Sequence, residues 1–369
     1  MLRIAFLIPT LNQIGGAERQ VILLAKELSK RGHQITVIVL SGDGGDTTQE
    51  LQSAGISFLS LQMRKAWIDP RGWLRYRAWL TRDRPEIIHT HLPHAAWLAR
   101  HARLIAPVPV VIDTIHTTHT GSFARRLLYR LSDRLSNQTT CVSHAVAQTV
   151  IHAGIARGSK LTILPNGIEL TNQPTSIQPD PQPFRWLAIG RLVPLKDYST
   201  LFRAFATLPN QPCIKIAGSG PEEPSLRILA TELNIADRVE FLGFRSDTQT
   251  LLAEADAFVQ SSLWEGLPMS TLEAAAASLP VVATNASGTA ETMQPGITGL
   301  LAPVRDATEL SSSMAQIMSM SSAQRHQMGA SGRAFVVAHF SLSIIVTRWE
   351  QLYTDLLARH PHASRHCFH

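Results

Sequence analysis

The sequence contains few cysteines, no long apolar run and little charge, and these shortages exclude several classes of protein. Three cysteines among 369 residues, odd in number and widely spaced, argue against a disulfide-stapled secreted domain. No stretch reaches the roughly 18 consecutive apolar residues of a membrane-spanning helix, and the opening MLRIAFLIPT indicates a strand rather than a signal peptide. These features predict a reduced, cytoplasmic protein.

The composition that remains suits a globular protein of two domains. Apolar residues make up 44% of the chain and charged residues 17%, which excludes general disorder. The net charge of +6 is uneven: residues 1–180 hold 20 Lys and Arg against 12 Asp and Glu, a net of +8, which leaves −2 for the rest. The basic half favours an acidic partner, which could be a nucleic acid, an anionic membrane or a phosphorylated substrate.

Short runs rich in Ile, Val and Leu alternate with helical patterns, which predicts parallel strands joined by crossover helices. The first half contains LRIAFLI, a helix from about 17 to 31, QITVIVL, EIIHTH, VPVVIDTIH and LTILPNGI. After a Pro-rich stretch that predicts a linker, the second half contains FRWLAIG, PCIKIAG, RVEFLG, DAFVQS and LPVVAT. Three helical patterns follow, at about 307–320, 323–338 and 342–358.

Residues 261–291, SSLWEGLPMSTLEAAAASLPVVATNASGTAE, carry the most informative pattern. Glu265 and Glu273 are eight positions apart, and Pro268 between them is expected at the first position of a helix. Glu265 is therefore expected on the loop after a strand, beside a helix N-terminus whose free amides suit a phosphate. Taken alone, such a pair could equally be two solvated carboxylates.

A second pattern, AIGRLVPLKDY, places Arg191 and Lys196 just after a strand. Two cations at that point can clamp a diphosphate leaving group and offset the charge that develops on it. In isolation they could also be solvated side chains of a loop. Since no Asp-x-Asp motif has a suitable setting, we expect an enzyme without a metal ion or other cofactor.

These stretches resemble the retaining glycosyltransferases of the family 4 type, also described as glycosyl transferases group 1, and the resemblance covers nearly the whole chain. It implies an α/β protein of two facing Rossmann-like domains, the glycosyltransferase B fold, with a deep interdomain cleft. In that family the first Glu contacts the transferred sugar and the second contacts the ribose, roles that pass to Glu265 and Glu273.

The Pro-rich stretch and the alternation of strands and helices also predict domain limits. We expect an acceptor-binding domain at 1–172, a linker at 173–184 and a nucleotide-sugar-binding domain at 185–338. The helix at 342–358 is expected to pack back on the first domain, and 359–369 to be a frayed tail.

Further donor-binding residues follow from glycine-rich turns and from the Glu-Gly-Leu-Pro segment. GGAER at the first strand-to-helix turn resembles the family's Gly-rich loop and is not the dinucleotide pattern G-x-G-x-x-G, while GSGPEE resembles its G-x-G-P segment. The predicted donor-binding residues are Gly15, Gly16, Arg191, Lys196, Gly218, Gly220, Glu265, Gly266, Leu267, Pro268, Met269 and Glu273.

Among fifteen histidines, His116 is the one for which the resemblance implies a place near the reacting centre. The predicted catalytic residues are thus His116, Glu265, Arg191 and Lys196. His91 and His94, in HTHLPH, and His119 are candidates on the acceptor side, expected with His89 to follow strand ends. The His-rich ending lacks a partner set at the spacing of a metal site.

The resemblance further implies a UDP-sugar donor, retention of configuration by a front-face mechanism, and a glycan or lipid-linked acceptor in cell-envelope polysaccharide or lipopolysaccharide synthesis. Peripheral contact with the inner face of the plasma membrane is one expectation. The segment 63–84 is basic and contains Trp67, Trp73, Tyr76 and Trp79, so it could lie on an anionic membrane or pack as a core helix. Arg125, Arg126, Arg130 and Arg134 form a second basic stripe.

Two alternatives remain open on the sequence. A same-fold epimerase or glycogen-type synthase would share the donor site, and an epimerase would consume donor without an acceptor. A sugar-nucleotide-binding or nucleic-acid-binding module without catalysis is the other, although no nucleic-acid-binding motif appears and we expect no nucleic acid partner.

Overall fold

The computed structural model describes residues 1–12, 15–64, 69–106, 108, 110–119, 121–170 and 183–360. The chain forms two compact units, one of Met1–Glu169 with Leu342–His369 and one of Leu170–Ser341. Most of the predicted linker and nearly all of the predicted frayed tail lie outside the described residues.

The first unit contains a parallel sheet whose strands are apolar because helices cover both faces. Its seven described strands are β1 (Arg3–Ile8), β2 (Gln34–Val39), β3 (Ser57–Ser60), β4 (Ile87–His91), β5 (Val110–Ile115), β6 (Gln138–Cys141) and β7 (Leu161–Ile163). They lie in the order β3-β2-β1-β4-β5-β6-β7. The strand order reverses direction between β1 and β4, and ligands of doubly wound sheets bind at such a point, beyond the carboxyl ends of the strands.

Helices connect these strands, and several begin at a polar cap. They are α1 (Gly16–Lys30), α2 (Asp46–Ser53), α3 (Pro70–Asp83), α4 (Pro93–Ala102), α5 (Phe123–Ser132) and α6 (His144–His152). Asp69 caps α3 by accepting from the Arg71 amide, and Ser143 caps α6 by accepting from the Val146 amide.

The second unit repeats the same architecture with six strands among its described residues. They are β8 (Arg185–Ile189), β9 (Cys213–Ala217), β10 (Val239–Gly243), β11 (Ala257–Gln260), β12 (Val281–Thr284) and β13 (Gly299–Ala302). The order is β10-β9-β8-β11-β12-β13, all parallel, and it reverses between β8 and β11. Two Rossmann-like units are therefore confirmed.

The helices of the second unit cover both faces of its sheet. They are α7 (Tyr198–Ala206), α8 (Glu223–Glu232), α9 (Thr248–Glu254), α10 (Met269–Ala276), α11 (Ala307–Ser319) and α12 (Ser322–Phe340). Helix α10 begins at Met269, so the expectation that Pro268 is its first residue is wrong by one position, and Pro268 precedes the helix with an extended ψ of 113°.

The last helix, α13 (Leu342–Arg359), belongs to the first unit. Trp349 and Tyr353 are buried in the same apolar cluster as β1 and α1. Glu350 accepts from Arg31 Nη1 at 2.6 Å and lies 2.9 Å from His33 Nε2, which ties α13 to the end of α1. The first core is thus built from both ends of the chain.

Candidate active site

The point where the second sheet reverses brings together the loops that follow β8 and β11. After β8, a short 3-10 turn at Pro194–Lys196 carries Lys196, and Asp197 then caps α7 by accepting from the Thr200 amide. After β11, Ser261 Oγ donates to the Lys196 carbonyl at 2.8 Å, so the two loops are fastened to each other. The sequence places Lys196 and Glu265 on these two loops.

Glu265 and Lys196 form a mostly buried ion pair. Glu265 Oε1 accepts from Lys196 Nζ at 2.6 Å and from Ser262 Oγ at 2.7 Å, and Gln260 Nε2 lies 3.4 Å away. The Lys196 side chain is 17% exposed and that of Glu265 is 13% exposed. Charge-assisted hydrogen bonds of this length are strong, so both groups are held in place before any ligand arrives.

Glu273 lies on α10, one turn in from the helix N-terminus, and is 8% exposed. The intervening Leu267 is also buried, while Gly288 donates its amide to the Glu265 carbonyl at 3.1 Å. A helix that begins beside Glu265 presents its first amides to that loop. The predicted arrangement of the two carboxylates around a helix N-terminus is therefore present.

The glycines of the GSG turn have a packing role in addition to the predicted ligand role. A Cβ on Gly218 would meet the Gly190 carbonyl oxygen at 2.0 Å, and one on Gly220 would meet the Leu192 oxygen at 2.2 Å. The turn therefore lies directly against the loop that carries Arg191, whose side chain is exposed. Only glycine permits this approach.

Sequence reasoning missed the polar side chains that support Glu265. Ser262 and Gln260 both contact its carboxylate, and Ser270 Oγ donates to Gln260 Oε1 at 2.9 Å. Ser262 precedes Glu265 by three residues, and that spacing was the available signal. Tyr198, which donates to the Gly190 carbonyl at 3.1 Å, was equally overlooked.

In the first unit, Gly15 and Gly16 are exposed at the start of α1, the helix that follows β1. The Gly15 amide donates to Glu18 Oε2 at 3.1 Å, and a Cβ on Gly15 would come within 2.8 Å of that oxygen. The two residues that precede Gly15 lie outside the described residues. The glycines thus stand at a helix N-terminus, as expected.

Three histidines form a cluster at the reversal point of the first sheet. His91 Nδ1 lies 2.8 Å from His116 Nε2, while His89 contacts Tyr353 Oη at 2.8 Å and Thr114 Oγ1 at 2.6 Å. Within the described chain, His91 Nε2 and His116 Nδ1 are buried without a hydrogen-bond partner. The two nitrogens that meet share one proton, so His91 and His116 cannot both be charged.

Burial determines the protonation of this cluster. Desolvation lowers the pKa of His116 from 6.5 to about 4. It also lowers the pKa values of His89 and His91 well below 6.5, and the neighbouring histidines lower them further. The imidazoles are therefore neutral near neutral pH.

The expected positions of the acceptor-side histidines are partly wrong. His89 and His91 lie within β4 and are fully buried, so His91 can influence a ligand only through His116. His94 and His119 are exposed, and desolvation, followed by the charge of Arg125, lowers the pKa of His94.

Helix α3 decides between the two readings of segment 63–84. Tyr76 is fully buried and Trp79 is 5% exposed, in one cluster with β1, β2 and α4, and Trp73 packs against that cluster. Tyr76 and Trp79 are therefore core residues and not membrane anchors, whereas Trp73 is only partly buried. Trp67 lies outside the described residues.

The part of the chain that the structure describes contains neither a metal-binding cluster nor a membrane-spanning helix. No group of three or more His, Cys, Asp or Glu side chains there is placed to hold a metal ion. No described helix is both long and apolar enough to cross a bilayer.

Comparison with known proteins decides the family. Residues 14–172 match the model of Glycosyltransferase Family 4, and residues 171–335 match that of Glycosyl transferases group 1. The chain belongs to this glycosyltransferase family. Both halves of the glycosyltransferase are matched, and they correspond to its two α/β units.

Individual relatives and structures agree with the family. The glycosyltransferase is 28% identical to a lipopolysaccharide core biosynthesis glycosyltransferase of Rhizobium meliloti, over 94% of this chain and 97% of that one. It is 25% identical to the UDP-Gal:alpha-D-GlcNAc-diphosphoundecaprenol alpha-1,3-galactosyltransferase of Escherichia coli, over 75% and 77% of the two chains. The structure of Anabaena HepE in complex with UDP has the same fold, with a TM-score of 0.83, 21% identity and coverage of 96% and 100%.

Proposed function

We propose that this glycosyltransferase transfers a sugar from a UDP-sugar to a glycan or lipid-linked acceptor of the cell envelope, with retention of configuration and without a metal ion. The observation that carries the proposal is the Lys196–Glu265 pair at the reversal point of the second sheet, with Glu273 on the adjacent helix. The relatives named above act on lipopolysaccharide core and on a lipid diphosphate, which supports the acceptor class.

The Lys196 ammonium is proposed to exchange its carboxylate partner for a phosphate oxygen when the donor binds. Arg191, exposed on the same loop, supplies a second charge for the diphosphate. Two cations at the leaving group do the work that a divalent ion does in other transferases, which is why we propose metal independence. Glu265, released from Lys196, then accepts hydrogen bonds from sugar hydroxyls, and Glu273 accepts them from the ribose.

A front-face displacement fits these groups. The bond between the anomeric carbon and the phosphate oxygen breaks, and its electron pair stays on the diphosphate. That oxygen takes the proton of the acceptor hydroxyl, whose oxygen bonds to the anomeric carbon on the same face. Retention by double displacement would instead need a carboxylate nucleophile on the opposite face. His116, which is neutral, is proposed to contact the transferred sugar.

Thermal unfolding in the presence of candidate donors tests the proposal. UDP-sugars, GDP-sugars and ADP-sugars are added with EDTA throughout, and stabilisation by UDP-sugars alone is expected. Stabilisation by UDP-sugars that appears only in a parallel series with Mg²⁺ in place of EDTA would contradict metal independence. With an active donor and acceptor, proton NMR of the product then reads the anomeric configuration, and inversion would contradict the front-face mechanism.

Peripheral membrane contact is part of the same proposal, because a lipid-linked acceptor lies in a bilayer. The buried aromatic residues of α3 do not provide that contact. Another surface of the protein is therefore needed for this contact.

A further inference from the structure

Helix α5 is turned so that its apolar residues face outward. Phe123, Leu127 and Leu131 follow one another at intervals of four residues, so they lie along one face, and they are 72%, 43% and 68% exposed. Leu128 beside them is 42% exposed, while the residue that the helix buries is the polar Ser132. A surface helix of a soluble protein has the opposite orientation.

A buried arginine holds α5 in this orientation. Arg100, fully buried on α4, pairs with Asp113 at 2.8 Å, and its Nη1 donates to the Tyr129 carbonyl at 2.9 Å and to Ser132 Oγ at 3.0 Å. Its guanidinium carbon also lies 4.7 Å from the centre of the Tyr129 ring. Rotating the leucines inward would break the two bonds from Arg100 Nη1 to α5 and leave that part of a buried guanidinium without acceptors.

The outward face carries positive charge and no acidic residue. Arg125 and Arg130 on the helix are exposed, as is Arg134 just beyond it, and the sequence FARRLLYRLS contains neither Asp nor Glu. Long arginine side chains can reach lipid phosphates while neighbouring leucines enter the acyl region. This combination suits an anionic bilayer.

A cavity of about 630 Å³ adjoins the end of α5. Arg130, Arg134 and Arg157 line it together with the apolar Leu131 and Ile155. Three guanidinium groups beside apolar side chains match a phosphate headgroup attached to acyl chains. Asp133 also lines the cavity, and the ammonium of Lys160 lies 3.9 Å from its carboxylate and offsets its charge.

Other exposed apolar side chains extend the same surface. Leu104 and Ile105, which follow α4, are 69% and 46% exposed. The preceding Arg103 donates to the Leu135 carbonyl at 3.0 Å, which keeps this turn beside the end of α5. The apolar surface is therefore wider than one helix.

We propose that α5, the turn at residues 103–105 and the arginine-lined cavity form a docking surface for an anionic phospholipid bilayer. The inference rests on the proposed function, since it names the membrane at which a lipid-linked acceptor is met. A second copy of the chain is a poorer occupant, because a symmetric contact would set each arginine cluster against its own image.

Vesicle co-sedimentation of the full chain tests the docking surface. Wild-type protein is expected to bind vesicles of phosphatidylcholine with phosphatidylglycerol and to bind pure phosphatidylcholine much more weakly. Leu127→Asn with Leu131→Asn is expected to weaken binding by roughly tenfold or more, through lost apolar insertion. Arg130→Gln, Arg134→Gln and Arg157→Gln together are expected to weaken it by roughly a hundredfold.

Leu74→Asn is the matched control, because Leu74 is 65% exposed on α3 of the same unit. It is expected to bind like wild type, and a loss equal to that of the α5 variants would overturn the assignment. Unchanged binding of the leucine double variant would also overturn it. A third contradicting outcome combines two results. Wild-type protein would form a dimer in analytical ultracentrifugation that the leucine double variant abolishes, and wild-type protein would not bind vesicles.

Donor binding separates this inference from the proposed function. Both α5 variants are expected to keep wild-type thermal stabilisation by UDP-sugar, because Lys196 and Glu265 belong to the second unit. Vesicle binding without any response to nucleotide sugar would leave the docking surface standing and remove the proposed function. The reverse result would remove the docking surface alone.

Discussion

Lys196 and Glu265 neutralise each other across 2.6 Å, and each has a proposed role that requires a different partner. Donor binding would therefore be an exchange, in which diphosphate oxygens replace the carboxylate at Lys196 and sugar hydroxyls replace the ammonium at Glu265. The pair keeps both groups oriented before the exchange, and Ser262 retains its hold on Glu265. Such pre-organisation lowers the cost of ordering the site when the donor arrives.

Lys196→Ala is expected to lower kcat/KM by about 10²–10³, because it removes a charge that stabilises the leaving diphosphate. Steady-state kinetics with saturating acceptor measure this, and circular dichroism checks the fold. Lys215→Ala is the control, since Lys215 pairs with Glu254 at 3.0 Å but both are exposed at the surface. Equal activity of the two variants would exclude the clamp.

The histidine cluster predicts a loss of stability in acid. The unfolded chain binds a proton at His116 near the usual pKa of 6.5, whereas the folded chain binds it only near pH 4. As the pH falls from about 6.5 to about 4, the unfolded state binds a proton that the folded state does not bind, so the free energy of unfolding decreases. The slope is about 1.4 kcal/mol per pH unit for each such histidine.

Urea unfolding at several pH values measures that slope. His116→Gln is expected to reduce the slope of the unfolding free energy with pH by about the contribution of one histidine. The slopes of the variants are compared, not their absolute stabilities. His152→Gln is the control, because His152 is exposed at the end of α6. An unchanged slope in His116→Gln would show that His116 is not protected from protonation.

At the scale of single elements, the orientation of α5 depends on the buried Arg100–Asp113 pair. Arg100→Met leaves Asp113 buried with its charge unpaired, although Thr90 Oγ1 still donates to it at 2.6 Å. We expect a loss of about 3–5 kcal/mol in the stability of the first unit. Arg82→Met is the control, because the Arg82–Asp83 pair is exposed and contributes about 0.5 kcal/mol or less.

Chemical denaturation followed by the ellipticity of each variant measures these losses. Adding Asp113→Asn to Arg100→Met is expected to restore part of the stability, since the second change removes the unpaired charge. No recovery in the double variant would mean that Arg100 stabilises α5 mainly through Tyr129 and Ser132.

The elements differed in how far sequence could predict them. Buried parallel strands are continuous apolar runs, so β1, β2, β4 and β5 could be recognised from composition alone. The end of β4 could not, because His89 and His91 are polar residues, and the buried partner of His89 is Tyr353 from a helix more than 250 positions later. The four-residue strand β6, QTTC, is too short and too polar for a periodic signal.

The residues of the candidate site also differed in how far the sequence could predict them. Glu265, Glu273 and Lys196 were predicted because their motifs resemble a known family. The ion pair of Lys196 with Glu265, 69 positions apart, could be seen only in the fold. The outward face of α5 could not be predicted, because it depends on the buried Arg100, and the sequence does not distinguish a buried arginine from an exposed one. The aromatic pattern of α3 was ambiguous for the converse reason: core and membrane helices both bury aromatic residues.

At the scale of the whole molecule, the two proposed ligands act on different units. Hydrogen exchange read by mass spectrometry is expected to show protection by UDP in residues 190–198, 218–223 and 262–273. Anionic vesicles are expected to protect residues 123–136 instead, in the half of the chain with a net charge of +8. Protection by UDP confined to residues 123–136 would contradict both assignments.

Helix α13 gives the molecule an order of assembly. Leu342, Ile345, Val346, Trp349, Tyr353 and Leu356 complete the apolar cluster under β1 and α1. A ribosome makes these residues only after the whole of the second unit, whose sequence is uninterrupted. The unit that is translated first therefore completes its core last. Its strands leave the ribosome before α13 can cover their apolar face, while the second unit can already fold.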